Sequence, residues 1–264
     1  MKGIDYSWAR PGGAAIKAAG FEFVMRYVPY PGDGGKGLDA AEAADLRANG
    51  LAIGLVFEST AGRMLGAWDA GVEDAHTCAA AIEYLGFPVL PIYFACDFDA
   101  QPDQYPALDK YLAGAQRVLG MNRVGVYGSY DVVEHCRDAG TAPWSWQTYA
   151  WSGGRVYAGN HVYQHLNGQE LNGGAVDYNV GTGEGLWKVE DDMDEARIRE
   201  IIHEELGWGT SPPQCTLESL NRWGNKLEAE QVVPWISALK LHMATPHASG
   251  PVPPHPHTVT VTLN

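Results

Sequence analysis

Acidic side chains recur where apolar runs end in this sequence, and that recurrence is its first sign of chemistry. Asp5 closes KGID, Glu58 follows LAIGLVF, Asp97 and Asp99 end PIYFACDFD, and Asp177 closes the last such run, in AVDYNV. Side chains two apart on a strand point the same way, so Asp97 and Asp99 are expected to face one space. Carboxylates crowded together repel, and at least one of them then holds a proton near neutrality. A protonated acid beside ionised ones is the equipment of glycosidic bond cleavage. Taken singly, each acid reads as well as a helix N-cap; Asp99 or Asp103 could cap PDQYPALDKYLAGAQRVLG. An acid cluster could also hold Mg²⁺ or Ca²⁺. Their shared position at run ends favours a cup of catalytic acids with no metal and no cofactor.

Other residue types fit a sugar. Trp144, Trp146, Tyr149 and Trp151 crowd one run, with Tyr127 and Tyr130 just before it, and sugar rings stack on such faces. Arg26, Gln147, Gln164 and Asn179 could donate or accept hydrogen bonds to hydroxyl or N-acetyl groups. The expected substrate-binding set is therefore Glu58, Arg26, Tyr127, Trp146, Gln147 and Gln164. His161 and His165 are spaced as zinc ligands would be on a helix, but Val162 and Tyr163 favour a strand there.

The elements that position these residues alternate. Eight strand candidates run from KGIDYS through FEFVMRYV, LAIGLVFEST, LPIYFACDFD, RVGVYGSY, WSWQTYAW and HVYQHL to AVDYNV. Alanine-rich helical stretches such as GLDAAEAADLRANG, closed by Asn49-Gly50, lie between the earlier ones. Strands separated by helices imply parallel pairing with right-handed crossovers. About eight of them predict a closed (β/α)8 TIM-type barrel over residues 1–187, compact, with its later helices reduced to loops. No GxGxxG or Walker loop follows any strand, which removes the main argument for a nucleotide-binding sheet. Function in such barrels collects at the C-terminal ends of the strands. Asp5 and Asp177 become neighbours only if the barrel closes. A helical extension is expected over 188–245, then a proline-rich linker and a terminal strand, TVTVTL, over 246–264.

Composition excludes several classes. With 32 acidic against 18 basic residues and a net charge of -14, the chain does not suit nucleic acid, which needs a basic face. No apolar run approaches the roughly 20 residues of a membrane span. The opening MKGIDYSWARPGG lacks the apolar stretch of a secretory signal, so none is expected. The cysteines at 78, 96, 136 and 215 form no CxxC pair and read as small buried hydrophobes.

Together GIDYS, PIYFACDFDA, VGVYGSYDVV, WQTYAW, VYQHL and AVDYNV resemble the glycoside-hydrolase-like barrel of actinobacterial secreted proteins and of the phages that infect them. That family is in turn similar to family 25 lysozymes, which cleave the MurNAc–GlcNAc linkage of peptidoglycan. The resemblance implies that Asp5, Asp97, Asp99 and Asp177 form the acidic cup. It also implies that Asp99 donates the proton in a retaining mechanism assisted by the substrate's N-acetyl group, with Asp97 steadying that group. The lysozymes carry glutamate where Asp99 stands, and the shorter side chain shifts the substrate or weakens the activity. The implied protein is a phage endolysin or tail-associated lysin acting on the host cell wall, with peptidoglycan or another wall glycan as partner. The alternative is a non-catalytic glycan-binding or minor-tail protein on the same barrel. In either case the C-terminal extension would serve virion attachment or self-association.

Overall fold

The computed structural model describes residues 1–87 and 90–188. The expected extension, linker and terminal strand lie outside the described residues beyond Lys188, as does Cys215. The described residues form eight strands, β1 Lys2–Asp5, β2 Phe23–Tyr27, β3 Ala52–Phe57, β4 Ile92–Ala95, β5 Val124–Gly128, β6 Trp144–Thr148, β7 Val162–Leu171 and β8 Gly174–Gly181. Five α-helices accompany them: α1 Gly13–Ala18, α2 Ala40–Ala48, α3 Ala67–Leu85, α4 Tyr105–Leu119 and α5 Tyr130–Asp138. Each strand pairs with the next, and β8 pairs with β1 to close the barrel. No helix among the described residues is long and apolar enough to cross a membrane.

Strands β1 to β7 run parallel, as the alternation of strands and helices implies, but β8 runs antiparallel to both of its neighbours. The cause is a two-residue turn, Asn172-Gly173, with φ of 49° and 78°. Positive φ at both positions is the type I′ geometry that reverses a strand, and Asn-Gly suits it best. Asp177 therefore does not close its strand. It lies early in β8, and it is the start of that strand that reaches the mouth, where Asp5 and Asp177 stand directly opposite.

All six residues of β3 are buried, as expected for a strand covered on both faces. One shell of side chains, including Phe23, Met25, Val56, Tyr93, Tyr127 and Trp146, fills the barrel. A second, including Ile4, Val24, Ile53, Phe94 and Val126, meets the helices outside. Cys78, Cys96 and Cys136 are free thiols buried in this second shell. Helix α2 starts from an Asp39 side chain that accepts the Glu42 amide at 2.8 Å, and Asn49 caps its far end.

Helices α3 and α4, which descend from the loops bearing Glu58 and Asp97, touch through glycine. A Cβ on Gly71 would lie 1.9 Å from the Tyr111 carbonyl oxygen, and one on Gly114 2.4 Å from that of Trp68. Below, Asp74 accepts from Tyr111 Oη at 2.6 Å and from Arg63 Nε at 2.8 Å, tying the loop after β3 to both helices. Gly71→Ala is accordingly expected to cost about 1–3 kcal/mol by forcing the helices apart. Urea denaturation checks it; an unchanged midpoint would mean that the helices do not approach so closely.

Candidate active site

The seam that closes the barrel carries its most perturbed acid. Asp5, the last residue of β1, is 5% exposed. Its Oδ2 accepts from Asn179 Nδ2 at 2.7 Å and from Gln164 Nε2 at 2.8 Å. Each donor is itself oriented: Trp146 Nε1 donates to Asn179 Oδ1 at 2.9 Å, and Tyr127 Oη donates to Gln164 Oε1 at 2.9 Å. Burial pushes the Asp5 carboxyl up to about 7, reinforced by the charge of Asp177 and partly opposed by the two amide donors. Asp177 receives the Gly168 amide at 2.7 Å and Gln164 Nε2 at 3.2 Å. Irregular pairing in β7 between Gln164 and Gln169 turns Gly168 toward it, as bulges beside active sites do. Burial holds the Asp177 carboxyl above its ordinary value.

Asp97 follows β4 and is half-buried. Its carboxyl is also held high, first by desolvation, then by Glu58 and Asp177, against the pull of Lys36. Glu58, just past β3, pairs with Lys36 at 3.1 Å. The mouth thus brings together Asp5, Asp97, Asp177 and Glu58 of the expected residues.

Asp99 stands apart. The β4 ladder ends with the Cys96 amide on the Tyr127 carbonyl, and the chain then turns tightly, the Ala100 amide reaching the Phe98 carbonyl at 3.0 Å. The period of two that would aim Asp97 and Asp99 alike stops with the strand. Asp99 is exposed, and its charge acts on Tyr105 at the head of α4. It is not a cap: the N-cap position of α4 is Gln104, with no side-chain cap, so Asp99 and Asp103 lack that structural role.

Arg26 and Gln147 face away from the cup, one register step from the inward residues Met25, Tyr27, Trp146 and Thr148. Arg26 is fully buried among Tyr6, Lys36 and Glu42: it donates to the Tyr6 and Lys36 carbonyls and pairs with Glu42 at 2.8 Å. Gln147 spans the loop after β6, donating to the Arg155 carbonyl at 2.8 Å and accepting from the Tyr157 amide and Asn160 Nδ2, each at 2.8 Å. Both correct the expectation of a direct substrate contact, because their polar groups are already committed to protein. Trp146 is 2% exposed and packs edge-on against Tyr127 at 4.6 Å, so it is barrel filling that orients Asn179, and no stacking face is left on it.

The open aromatic faces at the mouth are others. Trp8 is 65% exposed, Trp151 44% and Tyr149 42%, all on loops that follow β1 or β6. Trp151 adopts a φ of 55°, an unfavourable angle for a bulky residue. Lys36 and Tyr27 were also missing from the expected set; the Lys36 ammonium lies 3.9 Å from the centre of the Tyr27 ring. Lys36 sits in a glycine-rich loop, where strand-end patterning gives no signal. A cavity of about 520 Å³ opens at the opposite end of the barrel, lined by Pro91, Arg123, Trp144 and Leu186 among others, away from these acids.

Residues 14–195 match the family described as Rv2525c-like, glycoside hydrolase-like domain. The chain belongs to that family. A Mycobacterium tuberculosis relative, Rv2525c, named as a candidate peptidoglycan hydrolase, is 29% identical over 189 residues, covering 67% of this chain and 78% of its own. The crystal structure of that Tat-secreted protein with L-tartrate superposes with a TM-score of 0.66 at 28% identity, over 70% of this chain and 98% of the other. An uncharacterised B. stearothermophilus protein shares the fold, with a TM-score of 0.51 at 17% identity over 69% and 95% of the two chains.

Proposed function

We propose that this barrel is a lysozyme-like glycoside hydrolase directed at peptidoglycan. The observation that carries it is the mouth itself, where burial raises the proton affinity of Asp5, Asp97 and Asp177, with neighbouring carboxylates adding to it at Asp5 and Asp97, and where Glu58 stands beside them. One carboxyl that holds a proton next to others that have lost theirs can split an acetal. Membership of a glycoside-hydrolase-like family supports the reaction, and the mycobacterial relative, named for peptidoglycan hydrolysis, supports the substrate.

Asp97 is the better-supported proton donor. Its proton affinity is raised, the direction a general acid needs, and it keeps access to solvent. Asp97 gives its proton to the bridging oxygen as the bond to the anomeric carbon breaks. The substrate's N-acetyl oxygen bonds to that carbon, with the Asp177 carboxylate accepting the amide N–H. Water then opens the ring so formed, returning a proton to Asp97 and leaving a new reducing end. Asp5, buried and held by two amides, positions Gln164 and Asn179. Asp99 is the donor that the family resemblance favours, and the two assignments separate on their asparagine variants.

Trp8 and Trp151 supply exposed rings for sugars flanking the cup. Trp8→Ala is expected to weaken peptidoglycan binding by roughly threefold to tenfold. Pull-down on insoluble cell walls measures it, and undiminished binding would remove Trp8 from the glycan surface.

A non-catalytic glycan-binding or minor-tail protein is the second reading, favoured by the aspartate at position 99 where lysozymes have glutamate. Binding of purified peptidoglycan without new reducing ends would establish it. The proposed setting, a phage lysin at the host wall, rests on resemblance alone; the mycobacterial relative is Tat-secreted, the competing setting. Detection of the protein on purified virions, or in a bacterial secretome, tells these apart.

A further inference from the structure

A glycine-rich loop places a lysine among these acids, and a cluster of charged side chains ties the loop down. Pro29–Gly37 contains four glycines, three of them at φ of 91°, 67° and 82°. Such a segment is costly to order. Asp33 within it accepts the Gly35 and Gly37 amides at 2.8 and 3.0 Å, and three charged residues outside it form a clamp. Arg10 Nη2 donates to the Gly35 and Gly37 carbonyls at 2.8 and 3.0 Å, and Arg26 Nη2 to the Lys36 carbonyl at 3.0 Å. Glu42 then joins the two arginines, at 3.0 Å from Arg10 Nε and 2.8 Å from Arg26 Nε. Arg10 also donates to the Ser7 and Ala9 carbonyls, so the same clamp fixes the loop that carries Trp8.

A buried ion pair is weak evidence for stability, because desolvation offsets most of the attraction. What this one positions is more telling. The Lys36 side chain lies across the cup with 12% of its surface exposed, beside Glu58 and over the Tyr27 ring, with Trp8 at 5.9 Å. Resting on the assignment of the cup as the active site, we propose that Lys36 is a positioning residue. Held by the Arg10–Glu42–Arg26 clamp, its ammonium neutralises Glu58 and keeps Asp97 able to give up its proton.

Several titratable groups face Asp97. Burial opposes its ionisation most, Glu58 from the loop after β3 and Asp177 from β8 add to that, and Lys36 from the loop after β2 favours ionisation. Cys96 beside it, Tyr27 from β2 and Tyr127 from β5 have their proton affinities raised first by burial, with the charge of Asp97 a smaller contribution. Without Lys36, Asp97 would meet two carboxylates with no cation to answer them, and its proton would be held too tightly to transfer.

Carbon-13 NMR titration of the Asp97 carboxyl in the full chain tests this without relying on catalysis. Lys36→Met is expected to move the midpoint upward by about one pH unit, the low end of what a nearby opposite charge contributes. Lys36→Arg should titrate like wild type, which separates loss of charge from loss of shape, and Glu42→Gln should give a smaller upward move. If Lys36→Met does not fold, Lys36→Gln reads the same shift. An unmoved midpoint in the uncharged variant overturns the proposal, however active the protein. A moved midpoint in a protein that cleaves no glycan leaves Lys36 in this role and overturns only the hydrolase assignment.

Discussion

Asp97→Asn is expected to lower the release of reducing ends from purified peptidoglycan by about 10²- to 10⁴-fold, the usual cost of losing a general acid. Asparagine keeps the shape of the side chain and its place beside Glu58 and Asp177, so glycan binding should persist. The loss would appear in turnover with little change in the amount of protein retained on cell walls. Asp99→Asn provides the contrast. Asp99 is exposed beyond the end of β4, so its variant should retain most of the cleavage. Retained cleavage in Asp97→Asn together with loss in Asp99→Asn would return the proton to Asp99, as the lysozyme resemblance implies, and the mouth would have to rearrange on binding.

The second large effect concerns stability. Asp5 is protonated in the folded barrel up to about pH 7, whereas its ordinary value is 3.8. Between those values the unfolded chain has released the proton and the folded chain has not. Stability from this group is therefore complete below about pH 4, falls as pH rises, and is lost above about pH 7. The difference amounts to a few kcal/mol at most, on the order of one for each pH unit. Asp5→Asn, which can still accept from Gln164 and Asn179, should flatten this slope and leave the variant more stable than wild type in mildly alkaline buffer. Asp97 and Asp177, shifted in the same direction, keep part of the slope. Urea midpoints measured near pH 4 and near pH 8 would contradict this if wild type and variant changed equally.

The closed barrel was legible because its strands are short apolar runs, several of them ending in acids, and the helices between the early strands have a plain pattern. What was lost is physical in origin. A barrel strand is buried on both faces, so RVGVYGSY or FEFVMRYV shows no alternation to tell inside from outside. That is why Arg26 and Gln147, each one step out of register, looked like cup residues while Tyr27 and Thr148 did not. Asn172-Gly173 did carry a signal, the preferred pair for a two-residue hairpin. Read that way, LNGG reverses β8 and brings Asp177 to the mouth from the start of its strand. Asp99 was misaligned by extending strand periodicity past Cys96, where the backbone turns. Lys36 had no sequence signature, since a lysine in a glycine-rich loop acquires its meaning only from Arg10, Arg26 and Glu42, which hold it over the cup.

The most direct measurement is the appearance of new reducing ends when the wild-type chain is incubated with purified peptidoglycan from about pH 4 to about pH 8, the span over which raised carboxyls titrate. Soluble fragments whose reducing ends accumulate in proportion to time and protein, faster toward the acidic end of that span, the direction set by the raised proton affinity of Asp97, are the predicted result. Protein that binds the walls yet generates no reducing ends at any pH in that span would contradict it.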